Sequence, residues 1–511
     1  MSDVIPARPR LPAETPLGTL MGWLGDRLVA APEVSEPDST VVTGLTLSSQ
    51  RVRPGDLYAA LPGARAHGAS FATSAVESGA VAILTDSDGA ASCAGLGVPV
   101  LVVDRPRSLL GTLAAKVYGE PARELRLVAV TGTQGKTTAT RLAEGGLQTA
   151  GIPAAVVGTV GTSINGNEVI TSLTTPEAPD LHALFAVMLE QGVHVCAMEV
   201  SSHALVMGRV DGVVFDVAAF TNLGRDHLDF HADVEAYFAA KASLFTPSRT
   251  RRGLVNIDDA YGRRLLTRPS VPTRTFSTSG ADADWMALDI VMSPTGSTFV
   301  VQAPDGRRFP ARVPLAGDFN VANALTAIAA LGEAGFDASA VAQGIASSAG
   351  VPGRLEQVDA GQDFLAIVDY AHKPDAVSAA LTALRAITEG RLLIVLGAGG
   401  DRDHGKRSIM GATAARIADV LIVTDDNPRT EDAATIRAAV LSGADAVPEA
   451  GRAEIHELGN RRKAIRLAVS LARAGDTVVV AGKGHEAGQE IEGFVHPFDD
   501  RIVLREELAA R

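Results

Sequence analysis

The chain has 511 residues, 46% of them hydrophobic, which is enough to fill roughly two to four domain cores. Lys and Arg number 46 against 59 Asp and Glu, and a net charge of -13 without a long basic run argues against a nucleic-acid partner. Two cysteines, Cys93 and Cys196, suggest neither a disulfide framework nor a metal cluster, and no apolar run has the length of a signal peptide or a membrane span. We therefore expect a cytoplasmic, multidomain protein with no membrane span.

The first block of the chain, residues 1–122, mixes short strand-like runs with turn signals. Apolar runs at 40–47, 81–86 and 98–103 alternate with turn sequences such as PGD at 54–56. This pattern sets the first block apart from the rest of the chain.

The second block, residues 123–349, opens with an apolar strand that leads into a glycine loop and a helical stretch. Continuous apolar runs then recur, which is typical of strands that are buried on both faces of a parallel sheet. The strand, the helical stretch and the later runs lie at 126–132, 136–150, 194–200, 216–223 and 252–258.

The third block, residues 350–511, repeats this alternation of apolar strands with alanine-rich helical stretches. Its strand-like runs lie at 364–371, 391–397, 420–426 and 476–484. The second and third blocks are therefore predicted to be two separate doubly wound α/β domains. In such sheets ligands bind beyond the carboxyl ends of the strands, and the polar motifs of this sequence all fall at such ends.

A phosphate-binding loop follows the first strand of the second block. Glycines let backbone N–H groups approach phosphate oxygens, the helix N-terminus favours an anion, and the lysine of such a loop bridges the β- and γ-phosphates. A conventional P-loop has another glycine at position 130, where this chain has Val130, so the pattern is the shorter TGTxGKTT form. The predicted ATP-binding residues here are Gly132, Thr133, Gln134, Gly135, Lys136, Thr137 and Thr138.

Two further strand ends carry candidate metal ligands. Glu199 ends the strand HVCAMEV, and His227 follows the strand DVAAFTNL. Mg²⁺ prefers oxygen ligands, and phosphate oxygens often complete its shell. We expect Glu199 and the Thr137 hydroxyl to share one Mg²⁺ ion and His227 to reach a second.

Taken together, these motifs resemble the Mur ligase family over nearly the whole chain. The matching segments, in order, are TGLTL, PGDLYAALPG, TGTQGKTT, LTTPE, AMEVSSHAL, FTNLGRDHLDFH, AAKASLF, AGDFNVANAL, VPGRLE, VDYAHKPDA, GAGGDRDHGKR, TDDNPR and AGKGHE. The resemblance implies three α/β domains: an N-terminal UDP-binding domain (1–122), a central P-loop ATPase-type domain (123–349) and a C-terminal Rossmann-like domain that receives an amino acid (350–511).

The resemblance also implies a reaction and its participants. An ATP- and Mg²⁺-dependent ligase would add meso-diaminopimelate to the D-Glu side-chain carboxylate of UDP-N-acetylmuramoyl-L-alanyl-D-glutamate, through an acyl phosphate, in peptidoglycan precursor synthesis. We expect the enzyme to be a monomer. His203 and His372 are candidates for the base that receives the amine proton, and a structural role is an equal alternative for each.

Site residues follow from the resemblance by motif position. The catalytic set is Lys136, Glu199, His227 and Lys241, with Lys241 carbamylated and acting as a metal ligand beside Thr137, Glu199 and His227. Further ATP contacts would come from Asn320, Asn323, Arg354 and Asp369. The UDP-muramoyl-dipeptide would meet Leu47, Ser49, Ala64, Arg65, Ala66, Thr174, Thr175, Ser201 and Arg209. Diaminopimelate would meet Arg402, Asp426, Asn427, Pro428, Arg429, Gly482 and Glu486.

The chain departs from the family pattern on the nucleotide and sugar side. The family's D-S-R triplet is Ser48-Ser49-Gln50 here, and Leu173 and Met207 replace residues that are often Asn and Gln. These departures concern details of nucleotide and sugar contact and leave the expected reaction unchanged.

Four alternatives are weighed against this interpretation. An NAD enzyme is disfavoured because GAGGDR at 397–402 has Arg402 at the third glycine position. A folylpolyglutamate synthetase-like ligase should lack the uridine-type block and DNPR, and a non-catalytic scaffold should have lost Lys136, Glu199 or Lys241. An L-lysine-adding homologue is the nearest rival. It is disfavoured because Arg429 can grip the extra carboxylate of diaminopimelate in a bidentate fashion.

Overall fold

The computed structural model describes residues 7–30, 32, 36–63, 65–171 and 173–511. The chain forms two compact units, with Met1–Trp285 and Thr326–Val341 in unit 1 and Met286–Leu325 and Ala342–Arg511 in unit 2. The predicted domain limits at 122 and 349 stay predictions. Within the described residues, no helix is both long and apolar enough to cross a membrane.

The first half of unit 1 is an α/β layer built on a five-stranded sheet of order β2-β7-β6-β5-β4. Strands β4 to β7 run parallel, and β2 pairs with β7 in the antiparallel sense. Leu45, Leu57, Leu84 and Leu101 are fully buried in its core, so the apolar runs of the first block are confirmed as strands. The elements are β1 (Thr15–Pro16), α1 (Leu17–Leu24), β2 (Leu28–Ala30), β3 (Val41–Val42), β4 (Gly44–Thr46), β5 (Asp56–Ala59), α2 (Ala72–Glu77), β6 (Ala82–Thr85), α3 (Ser87–Cys93), β7 (Val100–Val103) and α4 (Pro106–Val117).

The second half of unit 1 is a mostly parallel sheet of order β11-β10-β9-β12-β8-β13-β14-β15. Strands β9, β12, β8, β13, β14 and β15 run parallel, and β10 and β11 form an antiparallel edge. The elements are β8 (Arg126–Thr131), α5 (Lys136–Thr149), β9 (Ala154–Gly158), β10 (Gly161–Ile164), β11 (Asn167–Val169), α6 (Ala178–Glu190), β12 (Val195–Glu199), α7 (Ser202–Val206), β13 (Phe215–Phe220), α8 (Val234–Ala242), β14 (Thr250–Asn256), α9 (Ala260–Leu265) and β15 (Thr273–Ser277).

Strand β8 lies between β12 and β13, although it precedes both of them in the chain. The chain therefore winds both ways from β8, and the crevice beyond its carboxyl end is where an open parallel sheet receives ligands. The apolar run of β8 is buried from Leu127 to Thr131, because helices cover both faces of the strand. The doubly wound fold predicted for this block is confirmed.

Unit 2 contains three strands that pair in the antiparallel sense, in the order β16-β17-β18, and a second mostly parallel sheet. That sheet has order β19-β20-β24-β21-β22-β23, where only β19 is antiparallel. The elements from here on are β16 (Trp285–Ser293), β17 (Gly296–Gln302), β18 (Arg308–Val313), α10 (Asp318–Glu333), α11 (Ala338–Ala346), β19 (Glu356–Gln357), β20 (Leu365–Asp369), α12 (Pro374–Arg385), β21 (Leu392–Leu396), α13 (Gly405–Ile417), β22 (Val420–Val423), α14 (Ala433–Asp445), β23 (Glu454–Glu457), α15 (Arg461–Leu471), β24 (Thr477–Ala481), β25 (Gly488–Ile491), β26 (Phe494–Pro497) and α16 (Asp500–Ala509).

The second parallel sheet confirms the four strands predicted in the third block. Helices α12 to α14 pack on one face and α15 and α16 on the other, and the strand residues between them are buried. The loops that follow β20, β22 and β24 leave the same edge of the sheet, because these strands are parallel. The TDDNPR and AGKGHE segments lie in these loops, and β25 and β26 form an antiparallel hairpin directly after them.

Candidate active site

The phosphate loop of unit 1 runs from the end of β8 to the start of α5. Gly132 has φ of 153° and Gly135 has φ of 86°, and a side chain at Gly132 would collide with the Thr221 hydroxyl. Helix α5 begins at Lys136, so the loop presents a helix N-terminus. The glycine missing at position 130 is not needed, because Val130 still belongs to the buried strand and its carbonyl accepts from Val200 N.

Residues after β13 hold this loop in place. The backbone N–H of Gln134 donates to Asn222 Oδ1 over 2.9 Å, and the N–H of Gly224 donates to Thr133 Oγ1 over 2.9 Å. Both contacts use loop residues predicted from the motif. The FTNLG segment therefore serves the phosphate loop as a brace.

The Lys136 ammonium folds back over the loop. Its Nζ donates to the carbonyls of Gly132, over 2.9 Å, and Thr133, over 3.1 Å. Thr137 and Thr138 start α5 and are each 6% exposed. An ammonium that is held at the mouth of the loop is placed to meet a phosphate by a small side-chain rotation, since a lysine carries its charge on a flexible stem.

Glu199 lies at the end of β12, in register with Val130 of β8. Its carboxylate accepts from Thr159 N over 2.8 Å and from Thr159 Oγ1 over 3.1 Å, and the residue is 1% exposed. Among the described residues there is no group of three or more His, Cys, Asp or Glu that could hold a metal alone. A carboxylate and a threonine hydroxyl fit Mg²⁺, which binds through one or two protein ligands and completes its shell with phosphates and water.

Lys241 lies in the last turn of α8 and is 1% exposed. Its Nζ donates to the carbonyl of Gly132 over 2.7 Å and lies 4.7 Å from the centroid of the Tyr237 ring. Lys241 is therefore a buried residue of the helix and not a solvent-exposed lysine. Its carbamylation stays a prediction, and the residue lies against the phosphate loop.

His227 belongs to an aromatic cluster beside the loop. It adopts φ of 53°, its Nε2 lies 3.3 Å from Asp226 Oδ2, and its ring meets that of His203 edge to face at 4.8 Å. The His203 ring stacks on Phe230 at 4.0 Å. Burial lowers the pKa of His203, with Asp229 opposing, so the neutral ring can accept a proton.

The predicted contacts for the muramoyl-dipeptide gather near Glu199. Thr175 Oγ1 donates to the carbonyl of Glu199 over 2.8 Å, and Thr174 Oγ1 lies 3.1 Å from Thr159 Oγ1. Ser201 caps α7 by accepting from Ala204 N over 3.1 Å.

Arg209 is held beside this group by Glu177. Its Nε donates to Glu177 Oε1 over 3.0 Å, and its Nη1 donates to the carbonyl of Thr175 over 3.4 Å. Arg107 of α4 donates to the other oxygen of Glu177, over 3.1 Å. Glu177 thus connects α4 of the N-terminal sheet layer to the predicted substrate arginine, a bridge that sequence reasoning missed.

The predicted uridine contacts are less enclosed. Leu47 packs against the core of the first sheet, and Ser49 starts a short 3-10 helix that ends at Arg51. Arg65 and Ala66 are exposed, and Ala64 lies outside the described residues. Open side chains of this kind provide a surface for a nucleotide but fix no orientation.

Unit 2 places the remaining predicted ATP contacts in two groups. Asn320 Nδ2 donates to the carbonyl of Ala316 over 2.7 Å, and Asn323 Nδ2 donates to Asn320 Oδ1 over 3.0 Å. At the end of β20, Asp369 accepts from the N–H groups of Leu355 and Ala371, each over 2.8 Å.

The environment of Asp369 acts on its charge in two directions. Burial raises the pKa of the carboxyl, and the nearby Arg354 opposes this shift. The Arg354 guanidinium also lies 4.6 Å from the centroid of the Tyr370 ring, which is a cation–π contact.

The DNPR segment, residues 426–429, lies in the loop after β22 and carries several polar side chains. Arg429 adopts φ of 55°, and its guanidinium donates to the carbonyl of Gly400 over 2.7 Å and to Glu490 Oε2 over 3.2 Å. Asn427 Nδ2 donates to Glu486 Oε2 over 2.9 Å. The Arg429 guanidinium, which is expected to bind a substrate carboxylate, therefore already forms one ion pair with Glu490.

The other predicted amino-acid contacts differ in their setting. Asp426 is 6% exposed, Gly482 has φ of 115°, and a side chain at Gly482 would collide with Asp426 Oδ2. Pro428 precedes Arg429 in the same turn, whereas Arg402 is exposed. The structure thus brings together five of the predicted contacts in the adjacent loops that follow β22 and β24. They are Asp426, Asn427, Arg429, Gly482 and Glu486.

Sequence reasoning missed Lys483 in this site. Lys483 is fully buried, and its Nζ donates to Asn427 Oδ1 over 2.9 Å and to Glu486 Oε2 over 3.3 Å. The available signal was a charged residue between two glycines directly after the buried strand β24. Such a residue must find partners, because an unpaired buried ammonium is strongly disfavoured.

His372, the other candidate base, is held by its own loop. Its Nδ1 lies 2.8 Å from the carbonyl of Tyr370. Burial, assisted by the Lys373 ammonium, lowers the pKa of His372 to about 4. The ring is therefore neutral at pH 7, and its low basicity makes it a weaker base candidate than His203.

Comparisons with known proteins agree with this arrangement. Three family models match the chain: Mur ligase family, catalytic domain (residues 41–118), Mur ligase middle domain (130–331) and Mur ligase, glutamate ligase domain (353–484). UDP-N-acetylmuramoyl-L-alanyl-D-glutamate--2,6-diaminopimelate ligase of Streptomyces avermitilis is 56% identical over 504 residues, covering 98% of each chain.

Two more comparisons point the same way. The protein of the same name from Corynebacterium glutamicum is 49% identical and covers 92% of each chain. A solved structure of a protein of this name is 34% identical, covers 94% of this chain and 97% of its own, and superposes with a TM-score of 0.67. The chain therefore belongs to the Mur ligase family.

Proposed function

We propose that this protein is an ATP-dependent ligase that adds meso-diaminopimelate to UDP-N-acetylmuramoyl-L-alanyl-D-glutamate. The observation that carries the proposal is the full-length identity of 56% to a ligase named for this reaction. The proposal is also supported by the groups that ATP binding requires: a phosphate loop, a lysine charge at Lys136 and a buried carboxylate at Glu199 for the metal ion. Such an enzyme acts in peptidoglycan precursor synthesis, and we place it in the cytoplasm as a monomer.

The reaction joins a carboxylate to an amine, which requires activation of the carboxylate. The D-Glu side-chain carboxylate attacks the γ-phosphorus of ATP, forming an acyl phosphate and releasing ADP. The diaminopimelate amine then attacks the acyl carbon, phosphate leaves with the electron pair of the C–O bond, and a base takes the amine proton. Lys136 reduces the repulsion between the two anions of the first step, and His203 is the base that this site favours.

Mg²⁺ would be held by Thr137 and Glu199, with His227 and a carbamylated Lys241 as further ligands. When bound, it neutralises charge on the phosphate oxygens. Thr159 keeps the Glu199 carboxylate in one orientation through two hydrogen bonds. Arg209 and Thr175 would bind the peptide end of the nucleotide substrate beside this carboxylate.

A direct assay tests the proposal. Purified protein is incubated with ATP, Mg²⁺, UDP-N-acetylmuramoyl-L-alanyl-D-glutamate and a panel of amino acids, with ADP release measured and the product identified by mass. We expect release of ADP and a tripeptide product only with meso-diaminopimelate. A product with L-lysine instead would favour the lysine-adding homologue, and no product with any amino acid would contradict the proposal.

A further inference from the structure

The amino-acid site of unit 2 contains a buried cation that meets three polar side chains. Lys483 is fully buried, and its Nζ lies 2.9 Å from Asn427 Oδ1, 3.3 Å from Glu486 Oε2 and 3.9 Å from Asp426 Oδ1. A lysine ammonium has three donors and no acceptor, so each of these contacts requires an acceptor atom facing it. The ammonium therefore dictates how its neighbours are oriented.

Asn427 is the neighbour whose orientation depends most on this contact. Its Oδ1 accepts from Lys483 Nζ and also from the N–H of Glu490, over 3.0 Å. Both partners are donors only, so the amide oxygen must face them and the Nδ2 group must point the other way. That Nδ2 group donates to Glu486 Oε2, over 2.9 Å.

Glu486 is thereby fixed from two sides. Both Asn427 Nδ2 and Lys483 Nζ donate to the same oxygen, Oε2. The side chain of Glu486 keeps 33% of its surface exposed, whereas Lys483 has none. The carboxylate thus has an anchored oxygen and an accessible side, while the lysine itself offers nothing to a ligand.

The same amide also connects to Arg429. The N–H of Glu490 donates to Asn427, while the carbonyl of Glu490 accepts from Arg429 N over 3.0 Å and its side chain pairs with Arg429 Nε over 3.2 Å. Glu486 and Arg429, which are both expected to contact diaminopimelate, are therefore linked through one side chain that Lys483 orients.

We propose that Lys483 is a positioning residue of the amino-acid site, which acts through Asn427 and Glu486 to preorganise the carboxylate that receives the ammonium group of the incoming amino acid. This inference rests on the proposed function and concerns only its amino-acid step. It requires that loss of the lysine charge weakens amino-acid recognition and leaves ATP recognition intact.

The variant Lys483→Met tests this, because methionine has a similar length and no charge. With ATP and the UDP substrate saturating, we expect the KM for meso-diaminopimelate to rise about 10- to 100-fold, as for loss of a charge-assisted hydrogen bond. The kcat and the KM for ATP should stay within about twofold of wild type. Lys463→Met, at an exposed position of α15, is the matched control and should change none of these constants.

A double-mutant cycle adds a second test. In a Glu486→Gln background, Lys483→Met should raise this KM by a smaller factor. The carboxylate that Lys483 positions is already absent from that background. If Lys483→Met does not fold, Lys483→Gln is measured with the same expected direction.

Two results would overturn the inference: an unchanged KM for meso-diaminopimelate, or an equal rise in the KM for ATP, which would indicate a purely structural lysine. Failure of the wild-type protein to use meso-diaminopimelate would instead reject the proposed function.

Discussion

The hydroxyl of Tyr237 lies 3.1 Å from the hydroxyl of Thr133, and its ring lies beneath the Lys241 ammonium, at 4.7 Å. One fully buried side chain of α8 thus touches both the phosphate loop and the lysine predicted to bind metal. Burial raises the pKa of Tyr237, so the phenol stays protonated and can hydrogen-bond at physiological pH. Helix α8 and the loop are therefore positioned together.

Tyr237→Phe is expected to separate these two contacts, because it keeps the ring and removes the hydroxyl. Losing one buried hydrogen bond should destabilise unit 1 by about 1 kcal/mol. The kcat should fall about tenfold, because Thr133 loses an anchor and the loop is held less closely. Urea unfolding and steady-state kinetics measure the two effects, with Tyr261→Phe as a control. Equal kinetics in both variants would contradict the positioning role.

Lys136→Ala should abolish turnover while the fold survives. The ammonium donates to two loop carbonyls and the residue is half-buried, so its loss is expected to leave the apolar core intact. We expect kcat to fall on the order of 10³ or more, as for removal of a charge that stabilises a transferring phosphoryl group. ADP release is measured beside a thermal melt, and Lys463→Ala is the control. Near-normal turnover would reject the assignment of this loop.

Lys241→Ala should be nearly inactive and should recover part of its activity when acetate or formate is added. A small carboxylate can enter the space of the deleted side chain and replace the oxygen ligands of a carbamate, which hard cations prefer. Activity is measured against carboxylate concentration, with wild type under the same additions as the control. The carbamate would be disproved by a crystal structure, obtained with bicarbonate present, that shows an unmodified amine at Lys241.

Arg429→Ala should remove most of the preference for meso-diaminopimelate over L-lysine. With lysine bound, Arg429 lacks the substrate carboxylate and keeps only its contacts within this chain, and losing a hydrogen bond between charged groups costs roughly 1.5–3 kcal/mol. A site built for a polar group can reject an analogue lacking it by about 10⁴-fold. The kcat/KM for both amino acids is compared in wild type, Arg429→Ala and the exposed control Arg416→Ala. Unchanged selectivity would show that Arg429 serves its contacts with Gly400 and Glu490 and does not recognise the substrate carboxylate.

The stability of unit 1 should fall between pH 7 and pH 5 because of His182. The His182 side chain is fully buried, with 0% exposed. Its Nε2 lies 3.2 Å from the carbonyl of Asp211. Burial lowers its pKa to about 4, so below pH 6.5 the unfolded state binds more protons than the folded state. The free energy of unfolding should fall by about 2 kcal/mol by pH 5.

Replacing the histidine tests this sign and size. His182→Gln should flatten the dependence of the unfolding free energy on pH, whereas His194→Gln, at an exposed position, should keep it. Urea unfolding at pH 5, 6 and 7 measures the difference. A variant with the same slope as wild type would show that other groups cause the loss.

Local patterns determined much of this protein. Continuous apolar runs predicted several strands of the parallel sheets, such as β8, β12 and β13 in unit 1 and β20, β21, β22 and β24 in unit 2, since a strand buried on both faces needs an apolar residue at every position. The glycines at 132 and 135 predicted the phosphate loop, because their positive φ and the helix start are short-range properties. The ordered motifs led to the Mur ligase family in the same way, from residues close together in the sequence.

Only the tertiary structure decided which distant groups share a site. Lys241 meets Gly132 across more than a hundred positions of the chain, and Lys483 meets Asn427 over a separation of 56. The pairing of Arg429 with Glu490 depends on a hairpin that folds back after β24, which no spacing rule specifies. Burial and pairing of charges follow from how strands are ordered in a sheet. That order is set by the packing of the whole unit, because the apolar pattern of each strand fits several neighbours equally well.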